Sequence, residues 1–205
     1  VSMNSFFIVI FLYLHNINIS MNYFDYMEWT RKFRSKYLGK IAKKLVSKGI
    51  TANQLTTLGH FLGLLSVYFL FNNHLVFVIL FSLHLSVDAF DGVVARLTKQ
   101  TVFGNYYDHI GDQVIAFSLL LRIYTYLADY YILIVLGIFI ITNTIYFLSK
   151  MKTPVIFVRS VVGIALMCFP LSPMLIINGA YLVSGVILMY SLARQLIYYL
   201  TRRFS

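Results

Sequence analysis

Residues 87–113, VDAFDGVVARLTKQTVFGNYYDHIGDQ, run from one long apolar segment of the chain into the next. They nevertheless contain four of its seven acidic residues. A charged side chain at the centre of a membrane-spanning helix costs about 2.5–3.5 kcal/mol, so four of them would oppose insertion unless cations compensate them. We therefore expect a function for this cluster, which consists of Asp88, Asp91, Asp108 and Asp112.

The spacing of these aspartates places each pair on one face of a helix. Asp88 and Asp91 are three residues apart, and Asp108 and Asp112 are four apart. Two antiparallel helices can therefore bring the four carboxylates together. Oxygen ligands of this kind suit Mg²⁺, Mn²⁺ or Ca²⁺, and two divalent ions would balance four negative charges. The pattern predicts a site for two divalent metal ions, Mg²⁺ or Mn²⁺, as phosphoryl displacement reactions use.

Small residues beside the aspartates predict a slot for a nucleotide diphosphate. Gly92 follows Asp91 inside a helix, where glycine costs about 1 kcal/mol relative to alanine, so we expect another group to approach the backbone closely. Ala95 and Arg96 follow one turn later, and a guanidinium suits a diphosphate. Gly104 is expected to open the second helix in the same way.

The chain as a whole has the composition of a membrane protein. Of its 205 residues, 60% are hydrophobic, and the mean hydropathy is +0.78, whereas soluble domains are roughly half apolar. Six apolar segments are each long enough to cross a hydrocarbon core of about 30 Å. We therefore predict an all-α integral membrane protein with six transmembrane helices. The segments are residues 56–72, 75–95, 103–125, 131–149, 154–170 and 174–200.

The distribution of basic residues predicts the orientation. Eight of the 17 Lys and Arg residues lie between Arg31 and Lys48, and most others flank the second and fourth connections and the C-terminal end. Positive charge is enriched on cytoplasmic flanks, so we expect both termini and the aspartates on the cytoplasmic side. Residues 31–49 have the pattern of an amphipathic juxtamembrane helix that lies on the cytoplasmic surface and ends at Gly49. Thr51 and Gln54 predict a capping box at the first spanning helix.

We accordingly divide the chain into three parts. They are an N-terminal segment (1–30), the interfacial helix (31–49) and a six-helix membrane domain (50–205). The apolar run Ser5–Leu14 is shorter than the roughly 17 residues needed to span a bilayer. Met21 is a candidate physiological start, in which case the residues before it are not native.

The two aspartate segments resemble the signature of the CDP-alcohol phosphotransferase family, D-x2-D-G-x2-A-R-x8-G-x3-D-x3-D. Asp88–Arg96 and Gly104–Asp112 match its eight fixed positions, although seven residues rather than eight separate Arg96 from Gly104. Residues 49–56, GITANQLT, are similar to the G-I-T-P-N-x-L-T motif that begins the first helix of these enzymes, with Ala52 in place of proline. The resemblance extends over most of the chain from about residue 35.

The resemblance implies transfer of a phosphatidyl-type group from a CDP-linked lipid to the hydroxyl of a small polar alcohol, with release of CMP, by a homodimer. It implies that the four aspartates hold two metal ions and that Asp112 is also the general base. The nucleotide-binding residues that it implies are Asn53, Thr56, Asp88, Gly92, Ala95, Arg96 and Gly104.

The acceptor alcohol is less determined. Lys150, Lys152 and Arg159 lie around the start of the fifth apolar segment, which faces the acceptor in this family. Three cations favour a phosphorylated alcohol such as inositol phosphate or glycerol phosphate, with Arg159 binding the phosphate. The lysines are equally explained as flanking charges of a cytoplasmic loop. His109 makes residues 108–112 similar to the Asp-His-Gly-Cys-Asp of choline and ethanolamine phosphotransferases, which favours a different acceptor.

Other classes of protein fit the sequence less well. The net charge of +10 could attract nucleic acid, but the basic residues flank apolar segments, so we expect membrane lipids as partners and no nucleic acid. A cation or proton-coupled transporter also places carboxylates in a membrane. Transporters, however, often have repeated halves with broken helices at the midplane. A non-catalytic scaffold that binds nucleotide-lipids would more naturally lack one of the carboxylates.

Overall fold

The computed structural model describes residues 23–99 and 101–203. The run Ser5–Leu14 and the candidate start at Met21 lie outside the described residues. The chain divides into two compact units, Val1–Ile41 and Ala42–Ser205. The functional division at residues 30 and 49 stays a prediction.

Helix α1, Tyr23–Ser47, begins eight residues before the expected interfacial helix. Within the first unit, Phe33, Tyr37 and Ile41 are about half exposed, and their spacing of four residues puts them on one helix face. This is the apolar face that an interfacial helix requires, while its position on a membrane surface stays a prediction. Gly49 follows the helix with a φ of +77°, as expected for a glycine that terminates a helix.

The second unit continues with six further α-helices, and its described residues contain no strand. The first of them begins with the predicted capping box between Thr51 and Gln54. The helices are α2 (Ala52–Phe69), α3 (His74–Leu97), α4 (Val102–Leu127), α5 (Tyr130–Leu148), α6 (Arg159–Met167) and α7 (Pro173–Arg203), with a short 3-10 turn at Phe169–Leu171.

Helix α4 lies at the centre of this unit, because it packs against α2, α5, α6 and α7. Helix α2 packs along α3, and α5 packs along α7. The ring of Phe81 of α3 occupies the space that a Cβ on Gly163 of α6 would fill. The packing therefore closes a ring of four helices, in which α2 contacts α3 and α4, and α6 contacts the same two helices. The largest fully buried side chains of the core include Phe77, Phe81, Ile115, Leu119, Leu120, Ile123, Ile132, Leu166, Ile177 and Leu188.

Three of the described helices, α3, α5 and α7, are long and apolar enough to cross a membrane. The all-helical architecture is confirmed for the described residues, and it is compatible with an integral membrane protein. The number of six spans is not established by these helices. Helix α4 is 26 residues long, but it carries two aspartates and Arg122, and α2 is 18 residues long with a polar first turn.

The expected fifth span, residues 154–170, is not one continuous helix. Residues 154–158 are not helical, and α6 has nine residues, which is about 14 Å at 1.5 Å per residue. This length is about half of a hydrocarbon core of about 30 Å. A hydrogen bond to another helix fixes the non-helical segment, since the N–H of Ile156 donates to Ser191 Oγ of α7 at 3.1 Å. The apolar composition of this segment did not distinguish a long helix from an extended segment followed by a short one.

Candidate functional site

Helices α3 and α4 bring the aspartates of the two pairs together. Carboxylate oxygens of Asp88, Asp91 and Asp108 lie within 4.8 Å of one another. Asp91 and Asp112 are buried, with exposed fractions of 7% and 9%. The convergence that the spacing predicted is therefore confirmed, while the role of each carboxylate stays a prediction.

A short connection positions the two pairs opposite each other. Helix α3 ends at Leu97, and α4 begins at Val102. The Thr101 side chain caps α4 by accepting the N–H of Gly104 at 3.0 Å. The one residue that is missing between Arg96 and Gly104, relative to the family signature, is therefore accommodated mainly in this connection. The two aspartate pairs still face each other.

A second group of possible metal ligands includes a residue to which the sequence assigned no role. His60 of α2, Asp108 and Asp112 offer ligand atoms within 4.8 Å of one another. His60 Nε2 is 4.0 Å from Asp112 Oδ1. His60 lies one helical turn after Thr56, so its position on the same helix face was the signal that could have identified it.

The donor set fits divalent cations. Two ligands that are each about 2.1 Å from an octahedral ion are at most about 4.2 Å apart, so small side-chain rotations would bring donors within 4.8 Å to that geometry. Carboxylate oxygens suit Mg²⁺ and Mn²⁺, and Mn²⁺, as a transition-metal ion, also accepts an imidazole nitrogen as a ligand. The two groups share Asp108, as expected for neighbouring ions with a common ligand.

Arg159, the first residue of α6, contacts carboxylates from both helices. Its Nη1 donates to Asp88 Oδ1 at 3.2 Å and to Asp112 Oδ1, and its Nη2 lies 3.1 Å from Asp88 Oδ2. Arg159 is buried, with an exposed fraction of 6%. A buried charge needs such partners, so the ion pairs account for the placement of this arginine among apolar helices. One guanidinium offsets only part of the charge of four carboxylates.

A cavity of about 120 Å³ is lined in part by Asp91 and Asp108. Gly104 is one of its walls, and a Cβ there would lie 2.8 Å from Asn53 Oδ1, so glycine permits this close approach. Lys99, Thr101 and Asn105 also line the cavity, although the sequence assigned them no role. Their signal was only their proximity to Gly104 along the chain. Five expected nucleotide-binding residues line the cavity: Asn53, Thr56, Gly92, Ala95 and Gly104.

Thr56 links this cavity to the aspartates. Its hydroxyl lies 2.9 Å from Asp91 Oδ2 and can donate to it, and both residues are buried. A hydrogen bond between a hydroxyl and a carboxylate is a strong one. It therefore holds the Asp91 side chain in orientation at the boundary of the cavity.

The remaining predicted residues lie elsewhere. Asp88 is on the Arg159 side of the cluster rather than among the residues that line the cavity. Arg96 is exposed, and its Nη1 lies 3.6 Å from the position that a Cβ on Gly92 would take. Lys150 and Lys152 are exposed on the connection between α5 and α6. The structure therefore brings Arg159 to the carboxylates and leaves the two lysines at the surface.

The chain is similar in sequence to known proteins. A sequence profile described as CDP-alcohol phosphatidyltransferase matches residues 49–197, more than two thirds of the chain. An archaetidylinositol phosphate synthase from Pyrococcus horikoshii is 39% identical over 88 residues. The matched region is 42% of this chain and 47% of that protein, so the chain spans less than half the length of this relative.

Proposed function

This chain belongs to the CDP-alcohol phosphatidyltransferase family, and on that premise we propose that it transfers a phosphatidyl-type group from a CDP-linked lipid to the hydroxyl of a small polar alcohol, with release of CMP. The reaction would serve phospholipid synthesis in a membrane. One observation carries the proposal: carboxylates of two helices converge beside a cavity that expected nucleotide-binding residues line.

The cavity would receive the cytidine diphosphate part of the donor. Asn53 and Thr56 supply polar groups at one wall, and Gly92 and Ala95 present little side-chain bulk at another. Small residues let a diphosphate approach the helix backbone closely. Arg96 would contribute positive charge at the rim, since it lies near Gly92 and is exposed.

We propose that the four aspartates hold two divalent ions, Mg²⁺ or Mn²⁺. When bound, such ions neutralise charge on the diphosphate and on the departing phosphate oxygen. The core fixes the packing of the two helices from which the carboxylates project, and it thereby fixes the positions of the metal ligands. These ligands are Asp88, Asp91, Asp108 and Asp112.

Asp112 would act as the general base. It would take the proton of the acceptor hydroxyl while that oxygen forms a bond to the phosphorus that bears the lipid. The bond between this phosphorus and the oxygen of CMP breaks, and CMP leaves with the bonding electrons. Arg159 contacts Asp112 and thereby holds its carboxylate in orientation.

Arg159 supports a phosphorylated acceptor. A guanidinium has five N–H donors, and the contacts with Asp88 and Asp112 use three of them. The remaining donors could bind an acceptor phosphate next to the proposed base. Lys150 and Lys152 would attract the same anion from solution. Because the Pyrococcus relative is an archaetidylinositol phosphate synthase, inositol phosphate is the first acceptor to test, and glycerol phosphate is the second.

One observation favours a second candidate, a choline or ethanolamine phosphotransferase that uses a CDP-amino-alcohol. His109 stacks on Phe157 with ring centroids 5.1 Å apart, and Tyr146 lies 6.1 Å from His109. Aromatic faces bind quaternary ammonium groups. The buried cation of Arg159 would repel such a group, so this candidate stands second.

The experiment is an assay of CMP release. The detergent-solubilised protein is incubated with Mg²⁺ or Mn²⁺ and either CDP-archaeol or CDP-diacylglycerol, and inositol phosphate, glycerol phosphate, serine or choline is added. Parallel reactions contain CDP-choline or CDP-ethanolamine with a lipid alcohol as the acceptor. We expect release with a phosphorylated alcohol and none without acceptor. CMP released only from CDP-choline or CDP-ethanolamine would select the second candidate. No release with any combination would refute the enzymatic proposal.

The assembly and orientation are also proposals. A homodimer would give the mass of two chains by light scattering after correction for detergent. We place both termini and the site on the cytoplasmic side, which is tested separately. In a variant with Cys168 replaced by serine, a cysteine introduced at Lys152 should react with an impermeant reagent only from the cytoplasmic side. Labelling from the opposite side would reverse the proposed orientation.

A further inference from the structure

We propose that His60 is a direct imidazole ligand of one of the two divalent ions. With Asp108 and Asp112 it would form a mixed nitrogen and oxygen site, next to an all-oxygen site of Asp88, Asp91 and Asp108. This inference rests on the proposed function in one respect, because it requires that the aspartate cluster holds metal ions.

The first observation is that His60 Nε2 needs a partner. This nitrogen is buried and has no hydrogen-bond partner. Its distance of 4.0 Å from Asp112 Oδ1 is too long for a hydrogen bond. A buried polar atom without a partner costs about 1–3 kcal/mol. A cation placed between the imidazole and the two carboxylates would satisfy the nitrogen and balance the acids at once.

The second observation is that neighbouring residues hold the ring toward the carboxylates. The imidazole ring of His60 occupies the space that a Cβ on Gly111 of α4 would fill. Tyr107 packs edge-on against the ring, with centroids 5.2 Å apart at 65°. The Tyr107 hydroxyl is in turn hydrogen-bonded to Thr57 at 3.0 Å. An oriented ring loses little freedom when it binds an ion, which is the arrangement that a metal ligand requires.

The other described histidines are used differently. His84 Nδ1 is 2.8 Å from the Gly59 carbonyl oxygen, and His74 Nε2 is 3.0 Å from the Met167 carbonyl oxygen. His109 is stacked on an aromatic ring. Each of these three histidines also has a buried ring nitrogen without a hydrogen-bond partner. Among the described histidines, however, His60 alone offers a ring nitrogen to a group of converging carboxylates. The inference is therefore specific to this position.

A mixed site makes the two ions inequivalent. Imidazole is a ligand of transition-metal ions, for which the affinity of such a site rises from Mn²⁺ to Co²⁺, whereas carboxylates alone suit Mg²⁺, Ca²⁺ and Mn²⁺. We expect one of the two positions to prefer Mn²⁺ or Co²⁺ over Mg²⁺ because of His60. Replacement of a residue that only orients a ligand lowers metal affinity about 10–100-fold, and loss of His60 as a direct ligand should lower the affinity of that position by at least as much.

The test is pulsed electron paramagnetic resonance of the full-length protein loaded with Mn²⁺, which detects a directly bound nitrogen by its magnetic coupling. We expect nitrogen coupling in the wild type and in His109→Phe, a matched control that removes a neighbouring imidazole and keeps an aromatic ring. His60→Ala should lose the coupling and bind one of the two Mn²⁺ ions at least tenfold more weakly. His60→Asp should bind two ions without nitrogen coupling, so it tests the inference even if the alanine variant does not fold.

Each alternative outcome has a separate meaning. Two bound Mn²⁺ ions without nitrogen coupling in the wild type would overturn the role of His60 and leave the proposed function intact. Coupling that persists in both His60 variants would do the same. A wild-type protein that binds no Mn²⁺ would overturn this inference together with the proposed metal dependence of the transfer.

Discussion

Replacing Arg159 with methionine removes the buried guanidinium that contacts Asp88 and Asp112. The side chains of Arg159, Asp112 and Asp88 are 7%, 12% and 25% exposed. Methionine has a similar length but no charge, so the variant would leave two neighbouring carboxylates without this counter-ion. We expect a folded but less stable protein.

The magnitude follows from the burial of the pairs. Removal of one partner of a buried ion pair costs about 3–5 kcal/mol. Asp88 is partly screened by solvent, so we take the lower end, about 3 kcal/mol. In a chain of this size, 1 kcal/mol shifts the melting temperature by about 2–4 °C, which gives a decrease of about 6–12 °C. Excess Mg²⁺ should recover part of this loss, because the proposed ions would bring positive charge to the same carboxylates.

The assay is thermal unfolding in detergent, followed by the loss of helical circular dichroism with and without Mg²⁺. Arg122→Met is the matched control, because Arg122 of α4 donates to the Asn72 side chain at 3.2 Å rather than to a carboxylate. It should change the melting temperature less. A variant at Arg159 that melts with the wild type, or no lower than the Arg122 control, would refute the argument that this guanidinium stabilises the cluster.

Three further substitutions and one depletion test the site. Asp112→Asn should lower the rate of CMP release by about 10²–10⁴-fold, because it removes the proposed base while keeping a side-chain oxygen for the metal. It should leave CMP binding nearly unchanged, as measured by isothermal titration, because Asp112 does not line the cavity. Gly104→Ala should weaken CMP binding several-fold, since its Cβ would lie 2.8 Å from Asn53 Oδ1 and displace that side chain in the cavity. Thr56→Val removes the 2.9 Å hydrogen bond to Asp91, and a hydrogen bond to a charged group is worth about 1.5–3 kcal/mol, so the Mg²⁺ concentration for half-maximal activity should rise about tenfold or more. Chelation of divalent ions should abolish turnover, and added Mg²⁺ or Mn²⁺ should restore it.

Each of these predictions has a result that contradicts it. Full turnover of Asp112→Asn would exclude this carboxylate as the base, and tight CMP binding by Gly104→Ala would place the nucleotide elsewhere. Thr125→Val is the control for Thr56→Val, because Thr125 is exposed and its hydroxyl donates to the Arg122 carbonyl oxygen near the far end of α4 rather than to an aspartate. Equal Mg²⁺ requirements for the two valine variants would show that the bond to Asp91 has no role. Undiminished turnover in the presence of chelator would argue against metal dependence.

Features that depend on near neighbours in the chain were predictable. The capping box of Thr51 and Gln54 and the terminating Gly49 were confirmed, because caps and glycine conformation act within a few residues. The convergence of Asp88 with Asp108 also followed from local spacing together with the short connection between their helices. Periodicity is strong evidence only where a helix keeps one face toward its partners over several turns.

Features that depend on distant parts of the chain were not predictable to the same degree. Residues 154–170 are mostly apolar, yet α6 begins only at Arg159, which contacts carboxylates 47 and 71 residues away in the chain. His60 appeared isolated in the sequence, but α2 places it beside Asp112. The composition of a segment does not show which distant residues form hydrogen bonds with its backbone or ion pairs with its charged side chains.

The amino-acid sequence by itself determined the helical architecture, the two aspartate pairs and the family to which the chain belongs, because each is recorded in residue types at short, regular spacings. Only the tertiary structure decided that Arg159 pairs with Asp88 and Asp112, that the two lysines stay at the surface, and that an imidazole joins the carboxylates. These contacts depend on how helices far apart in the chain pack against α4, and packing is a collective property of many buried side chains that no single motif encodes.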